Sequence, residues 1–251
     1  MKKGADVFVV GGGPAGLVAA IAARQQGLSV MVADGAEYPI DKPCGEGLVP
    51  ETQEALTQLN IKIPESVGHF FRGVRFLQRE NQVCAEYVHG GCGIGIRRTV
   101  LHELLVAKAK ECGVKMMWKT PVVGIENNSV KLRTEVIEAQ WIVGADGSGS
   151  RVRRWSGLEK TVSKHKRFAS RRHYRVKPWA DYMEIYWGER AQGYVTPISD
   201  DEVCIVVTAE QVEDANFKEA LENWPELKER LEKAELSSRE RGAITSMHTM
   251  E

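Results

Sequence analysis

Three glycines at fixed spacing behind a short apolar run set the terms for this chain. Ala5 to Val10 is apolar and β-rich, as a strand buried on both faces must be. It runs into Gly11-Gly12-Gly13-Pro14-Ala15-Gly16, where Gly11, Gly13 and Gly16 fill the three positions of a G-x-G-x-x-G turn. The first glycine permits a tight turn, the second lets backbone approach a pyrophosphate, and the third lets helix and strand pack closely. The pattern then predicts a helix over 15–26, its free N–H groups aimed at that pyrophosphate, with Gly27 as its stop. A second strand over 29–33 ends at Asp34, at the ~20-residue offset where a carboxylate accepts ribose hydroxyls. Together these residues predict a βαβ dinucleotide site made by Gly11, Gly13, Pro14, Ala15, Gly16 and Asp34. An acid at the ribose position favours FAD or NAD over NADP.

Beyond Asp34, the stretch 38–50 is too rich in proline and glycine for regular structure. A short helix is expected over 51–59, with Ala55, Leu56 and Leu59 on one face. Alternating apolar residues from Gly73 to Val88 read as a hairpin about Glu80-Asn81. A helix follows from Thr99, its expected N-cap, to Cys112, burying Leu101, Leu104, Leu105 and Ala109 before Gly113 stops it. Strands are expected over 114–118 and, fully apolar, over 141–145, with a meander between them. After residue 150 the chain turns to strand-like runs (183–187, with Tyr186 and Trp187, and 203–207) and two helices over 214–223 and 225–235.

Composition narrows the classes of function. Lys plus Arg and Asp plus Glu each number 34, so no global basic field points to nucleic acid. The local basic runs 151–154 and 164–175 read first as solvated faces, and second as attraction for a phosphate-bearing substrate or nicotinamide donor. Five cysteines form no C-x-x-C pair, which fits reduced thiols in a cytoplasmic protein. Histidine and cysteine spacings support no metal site. Met1-Lys2-Lys3 before an apolar run imitates a signal peptide, but Asp6 and the glycines break that pattern. No apolar run reaches the ~18 residues of a spanning helix, although peripheral membrane contact stays open.

Two further motifs extend the first: Arg98-Thr99-Val100-Leu101 opening a helix, and Gly144-Ala145-Asp146-Gly147-Ser148-Gly149-Ser150-Arg151 after an apolar strand. With the glycine turn and Asp34, they resemble the FAD-dependent group of aromatic-ring hydroxylases (flavoprotein monooxygenases) and geranylgeranyl reductases. The loop Lys42-Pro43-Cys44-Gly45-Glu46-Gly47 is most similar to the reductase branch. The resemblance implies an α/β fold: a Rossmann-like FAD-binding domain with a parallel sheet (1–70 and 95–160), interleaved with a mixed or antiparallel substrate-domain sheet (71–94 and 161–251). It places Arg98 beside the FAD phosphates or ribityl chain, where a guanidinium gives bidentate contact to phosphate oxygens. It places Asp146 and Gly147 along the cofactor cleft, the backbone of Val122 at the adenine, and Cys44 to Gly47, Gly45 among them, over the isoalloxazine. Cys44 is then a candidate catalytic group, or equally an inert buried thiol.

The resemblance implies FAD as cofactor, NAD(P)H as electron donor and a small or apolar organic substrate, with monooxygenase chemistry first and prenyl reduction second. Oligomeric state is left open. One departure stands out: the family's later Gly-Asp motif has no counterpart, since no Gly-Asp pair occurs in the sequence. The expectation is therefore a truncated chain, with a strand missing from the parallel sheet, an unpaired edge and exposed apolar surface. A non-catalytic dinucleotide-binding fragment is the alternative from another class. A plain NAD-linked dehydrogenase explains neither Arg98, nor Asp146-Gly147, nor the Cys44 loop.

Overall fold

The computed structural model describes residues 4–159 and 161–249, leaving aside the side chains of 161–164 and 247–249. Met1-Lys2-Lys3, Lys160, Met250, Glu251 and the Lys164 side chain, named above within the N-terminal, domain and basic-run expectations, lie outside the described residues. In chain order, β1 (Gly4–Val10), α1 (Pro14–Gln25) and β2 (Val30–Ala33) come first. β3 (Gly47–Leu48), α2 (Pro50–Gln58), β4 (His69–Phe71), β5 (Gly73–Gln78), β6 (Asn81–Glu86) and β7 (Gly93–Gly95) follow. Next are α3 (Arg98–Glu111), β8 (Lys115–Met117), β9 (Gly124–Glu126), β10 (Ser129–Lys131), β11 (Val136–Gly144) and α4 (Arg151–Trp155). The rest comprises β12 (Thr161–Arg175), β13 (Met183–Trp187), β14 (Ala191–Ser199), β15 (Glu202–Ala209), α5 (Phe217–Leu221), α6 (Pro225–Leu231), β16 (Glu235–Leu236) and β17 (Arg241–Thr249).

The chain divides into two compact units. The first, from 4–41 and 99–163, holds a six-stranded sheet in the order β8-β2-β1-β11-β10-β9. β8, β2, β1 and β11 run parallel, while β10 and β9 are antiparallel. Parallel strands need helical crossovers, and α1 supplies the one from β1 to β2. Phe8, Val10, Met31, Ala33, Val122, Val130 and Ile137 form one core. Full burial of a side chain such as Phe8 contributes about 2 kcal/mol. Asp6 fastens the start of β1 to Ser29, accepting its N–H at 2.7 Å and its hydroxyl at 2.6 Å.

The second unit, from 42–98 and 164–247, holds the larger sheet β16-β12-β15-β14-β13-β5-β6, with β17 also on β12. Along β16-β12-β15-β14-β13-β5-β6 the pairings are antiparallel except β13 with β5. α5 and α6 bury Phe217, Ala220, Leu227 and Leu231 in its core with Trp224. A small sheet β3-β7-β4 belongs to the same unit. Residues 42–70, expected in the first domain, group here because β3 and β4 both hydrogen-bond to β7.

The α/β class is as expected, with a first sheet parallel over β8, β2, β1 and β11 and a second that is mainly antiparallel, and several local readings shift. α2 starts on Pro50 and buries only Leu56, since Ala55 faces solvent. α3 starts at Arg98, one residue before the expected cap, and its buried residues are His102, Leu105, Val106 and Ala109. The helix expected over 214–223 is shorter, because Asn216 caps it by accepting the Lys218 N–H. The apolar strand 141–145 is not enclosed: Trp141 is 69% exposed. β10 pairs with β11 only over 136–138, so beyond that β1 is its one ladder partner among the described residues. The basic run 164–175 is not simply a solvated face either, for Arg171 and His173 on β12 are buried.

Candidate functional site

The glycine turn is built by close approach. Gly11 has φ +109°, and a β-carbon on it would lie 2.3 Å from the Ala145 carbonyl oxygen. A β-carbon on Gly16 would lie 1.9 Å from the Gly11 carbonyl oxygen. No L side chain fits either place, so these glycines are demanded by the packing of β1, α1 and the end of β11. Gly13 is the N-cap of α1 with no side-chain hydrogen bond, and Pro14 holds the first helical position. The first intrahelical bond runs from the Leu17 N–H to the Gly13 carbonyl at 2.9 Å. That geometry leaves the N–H groups of Ala15 and Gly16 without intrahelical acceptors, at the positive end of the helix dipole. A cradle of bare backbone N–H groups with no acid in the first turn fits the diphosphate of FAD.

Asp34 stands beside this turn at the end of β2. Its Oδ2 accepts the Gly12 N–H at 2.7 Å and its Oδ1 the Ala36 N–H at 2.7 Å. Each carboxylate oxygen retains a further acceptor site, so ribose hydroxyls can still be bound. Asp146 is also close, since the point where a β-carbon of Gly11 would lie is 2.9 Å from the Asp146 nitrogen. Its carboxylate is spent locally, bonding the Ser150 hydroxyl and accepting the N–H groups of Arg151 at 2.7 Å and Val152 at 3.1 Å. That pattern caps α4, while Gly147 takes a left-handed φ of +87° in the turn before it. Val122 is buried in the core of the first unit.

Sequence reasoning missed His102. It is fully buried on α3, and its Nδ1 accepts the Ile40 N–H at 3.2 Å. The ring proton is therefore on Nε2, which donates to the Gly12 carbonyl at 2.7 Å. This neutral imidazole ties the turn to the loop after β2. A histidine amid the apolar spacing of α3 was the available signal.

The other expected residues lie in the second unit. Gly45 accepts the Thr196 hydroxyl at 2.7 Å, and the half-buried Cys44 accepts the Glu46 N–H on its sulfur at 3.3 Å. Glu46 was not singled out by sequence, yet it is the hub of this loop: 3% exposed, with a left-handed φ of +59°. Its Oε1 accepts the Arg98 N–H at 3.0 Å and Arg171 at 3.1 Å, while its Oε2 meets His173 Nε2 at 2.7 Å. Arg98 thus begins α3 with its N–H capped by a carboxylate, and its buried Nε has no hydrogen-bond partner among the described residues.

Burial, with the Glu46 charge nearby, pushes the Cys204 thiol well up. The donor atoms of Glu46, His173 and Cys204 lie within 4.8 Å of one another, a grouping that no spacing in the sequence announced. Arg171 pairs with the carboxylate and Arg97 meets the imidazole, so the cluster is held within an ion-pair network. All five cysteines are free. No helix among the described residues is long and apolar enough to cross a membrane.

Comparison with known proteins agrees with this geometry. Residues 4–251 match the model of an FAD binding domain. A menaquinone reductase of Mycobacterium tuberculosis is 32% identical over 228 residues, covering 82% of this chain and 55% of that protein. A digeranylgeranylglycerophospholipid reductase of Thermoplasma acidophilum is 31% identical over 209 residues, covering 76% of this chain and 52% of that protein. The chain thus spans about half the length of the curated relatives it matches. Among solved structures, a geranylgeranyl bacteriochlorophyll reductase-like protein of Thermoplasma acidophilum superimposes with a TM-score of 0.78 at 23% identity, covering 98% of this chain and 67% of that one. A flavin-dependent brominase superimposes with a TM-score of 0.86 at 19% identity, covering 99% and 69%. These two structures speak for the fold alone. The chain belongs to the family of proteins built on this FAD-binding domain.

Proposed function

We propose that this chain is the FAD-binding part of an oxidoreductase that reduces a carbon–carbon double bond in an isoprenoid chain. The observation that carries the reading is the glycine turn, with its bare N–H cradle and Asp34 held 2.7 Å from the Gly12 amide. When bound and already reduced, the flavin would supply the hydride; saturating the double bond then needs one proton in addition. The protein's own part is to bind and orient. Gly11, Gly13, Pro14, Ala15 and Gly16 hold the diphosphate, Asp34 holds the ribose, and Arg98 offers an always-charged guanidinium to phosphate oxygens. Cys44, Gly45, Val122, Asp146 and Gly147 complete the proposed set, with NAD(P)H as the donor that reloads the flavin. The named relatives support reduction over the monooxygenase chemistry put first on sequence grounds.

The test is a titration of the purified chain with FAD, followed by visible absorbance. Flavin bound near one per chain, reduced anaerobically and reoxidised by a polyprenyl acceptor that gains two hydrogens by mass, is the expected result. A folded chain that takes up no FAD overturns the cofactor assignment. Flavin that binds but passes no hydrogen to any polyprenyl acceptor overturns the substrate class.

A further inference from the structure

The dinucleotide turn rests against an aromatic shelf that the glycine fingerprint does not require. The point where a β-carbon of Gly12 would lie is 2.5 Å from Cζ3 of Trp118 and 3.3 Å from Cβ of Asp34. The six-membered ring of the indole and the proposed ribose-binding acid therefore flank the same glycine. Tyr38 lies 5.8 Å from Trp118 and His102 lies 5.7 Å from it, both centroid to centroid, and Tyr38 and His102 are 5.6 Å apart. Three separate chain segments thus meet around one ring. His102 cannot reorient without giving up its bonds to Ile40 and Gly12, so the shelf is stiff. Trp118 is only half-buried, so it is not closed off as a core residue would be.

We propose that Trp118, backed by Tyr38 and His102, is the stacking platform for the adenine base of the bound dinucleotide. This rests on the FAD reading above. The base is bonded to the ribose that Asp34 would hold, so it must fall within reach of whatever aromatic surface adjoins that acid. A flat indole held at a fixed angle stacks on a purine at little entropic cost. The platform selects ligands carrying adenine, FAD and ADP alike, over FMN, which has the flavin and one phosphate but no base.

The experiment compares the unaltered chain with Trp118→Leu and Trp118→Phe. Binding of FAD, ADP and FMN is measured for each, and indole emission is followed during ADP addition. For the unaltered chain, ADP is expected to quench indole emission. Trp118→Leu is expected to weaken FAD and ADP about tenfold while leaving FMN unchanged. Trp118→Phe keeps a ring against Tyr38 and His102, so it should retain most affinity yet lose the ADP-dependent quenching. Equal FAD and ADP affinities in the unaltered chain and Trp118→Leu would overturn the platform, as would undiminished quenching in a folded Trp118→Phe. Failure of the unaltered chain to bind FAD or ADP at all would instead remove the FAD reading on which it rests.

Discussion

The imidazole Nε2 of His173 lies 2.7 Å from a carboxylate oxygen of Glu46, and both side chains are sealed from solvent. The protonation of this pair follows from its other neighbours. Arg97 approaches His173 Nδ1 with a guanidinium that can only donate, and the Ser238 hydroxyl lies 2.6 Å from the same nitrogen. Nδ1 therefore carries the lone pair and Nε2 the proton, which it donates to Glu46. Arg171 supplies the buried counter-charge at 3.1 Å. The left-handed backbone at Glu46 is held against its strain by these side-chain bonds.

Replacing Glu46 by glutamine keeps the shape and removes the charge that meets Arg171 at 3.1 Å in a buried setting. Breaking a buried pair by deleting one partner costs about 3 kcal/mol or more. Urea denaturation should show that loss for Glu46→Gln. A change within a few tenths of a kcal/mol would mean that the other contacts of Arg171 hold its charge without Glu46.

His102→Leu orphans the Ile40 N–H and the Gly12 carbonyl in a buried setting. Each unsatisfied group costs about 1–3 kcal/mol. The variant should lose stability in urea and also bind FAD more weakly, since Gly12 belongs to the dinucleotide turn. Full affinity with reduced stability would separate the turn's geometry from the histidine.

Asp34→Ala removes the acceptor of two backbone N–H groups as well as the proposed ribose contact. FAD binding should weaken by roughly 1–3 kcal/mol, the scale of charge-assisted hydrogen bonds. Calorimetric titration with FAD and with riboflavin would check it, because riboflavin has no ribose for Asp34 to hold. An equal loss for both ligands would assign the effect to the turn alone.

The Ser29 hydroxyl, then its backbone N–H, holds the Asp6 carboxyl below its ordinary value of 3.8. A carboxyl whose pKa is depressed on folding contributes its stability above the unfolded pKa and loses it as pH falls through the folded one. Urea midpoints followed from about pH 6 to about pH 2 should drop more steeply for the unaltered protein than for Asp6→Asn. Parallel curves would show that the Ser29 bond carries no proton linkage.

Thiol labelling at neutral pH should follow burial. Cys84 and Cys92 are exposed and should react first, whereas Cys204 is buried with its thiol pushed up and should react only on unfolding. Fast labelling of Cys204 in the native protein would contradict the closed cluster around Glu46.

The sequence alone determined what is local. The β1-turn-α1-β2 unit, the stops at Gly27 and Gly113, the hairpin about residue 80 and the two-sheet class were legible, because periodicity and glycine chemistry act over a few neighbouring residues. What lay beyond it joins distant segments. Glu46 meets a histidine 127 residues away, and His102 meets a carbonyl 90 residues away. Trp118 finds Gly12 only once β8 is laid beside β2. The run 164–175 reads as basic surface until strand alternation turns Arg171 and His173 inward, where a buried carboxylate satisfies them. A charge is stable in such a place only if its partner is already there, and that partner is set by sheet pairing, which no local pattern encodes.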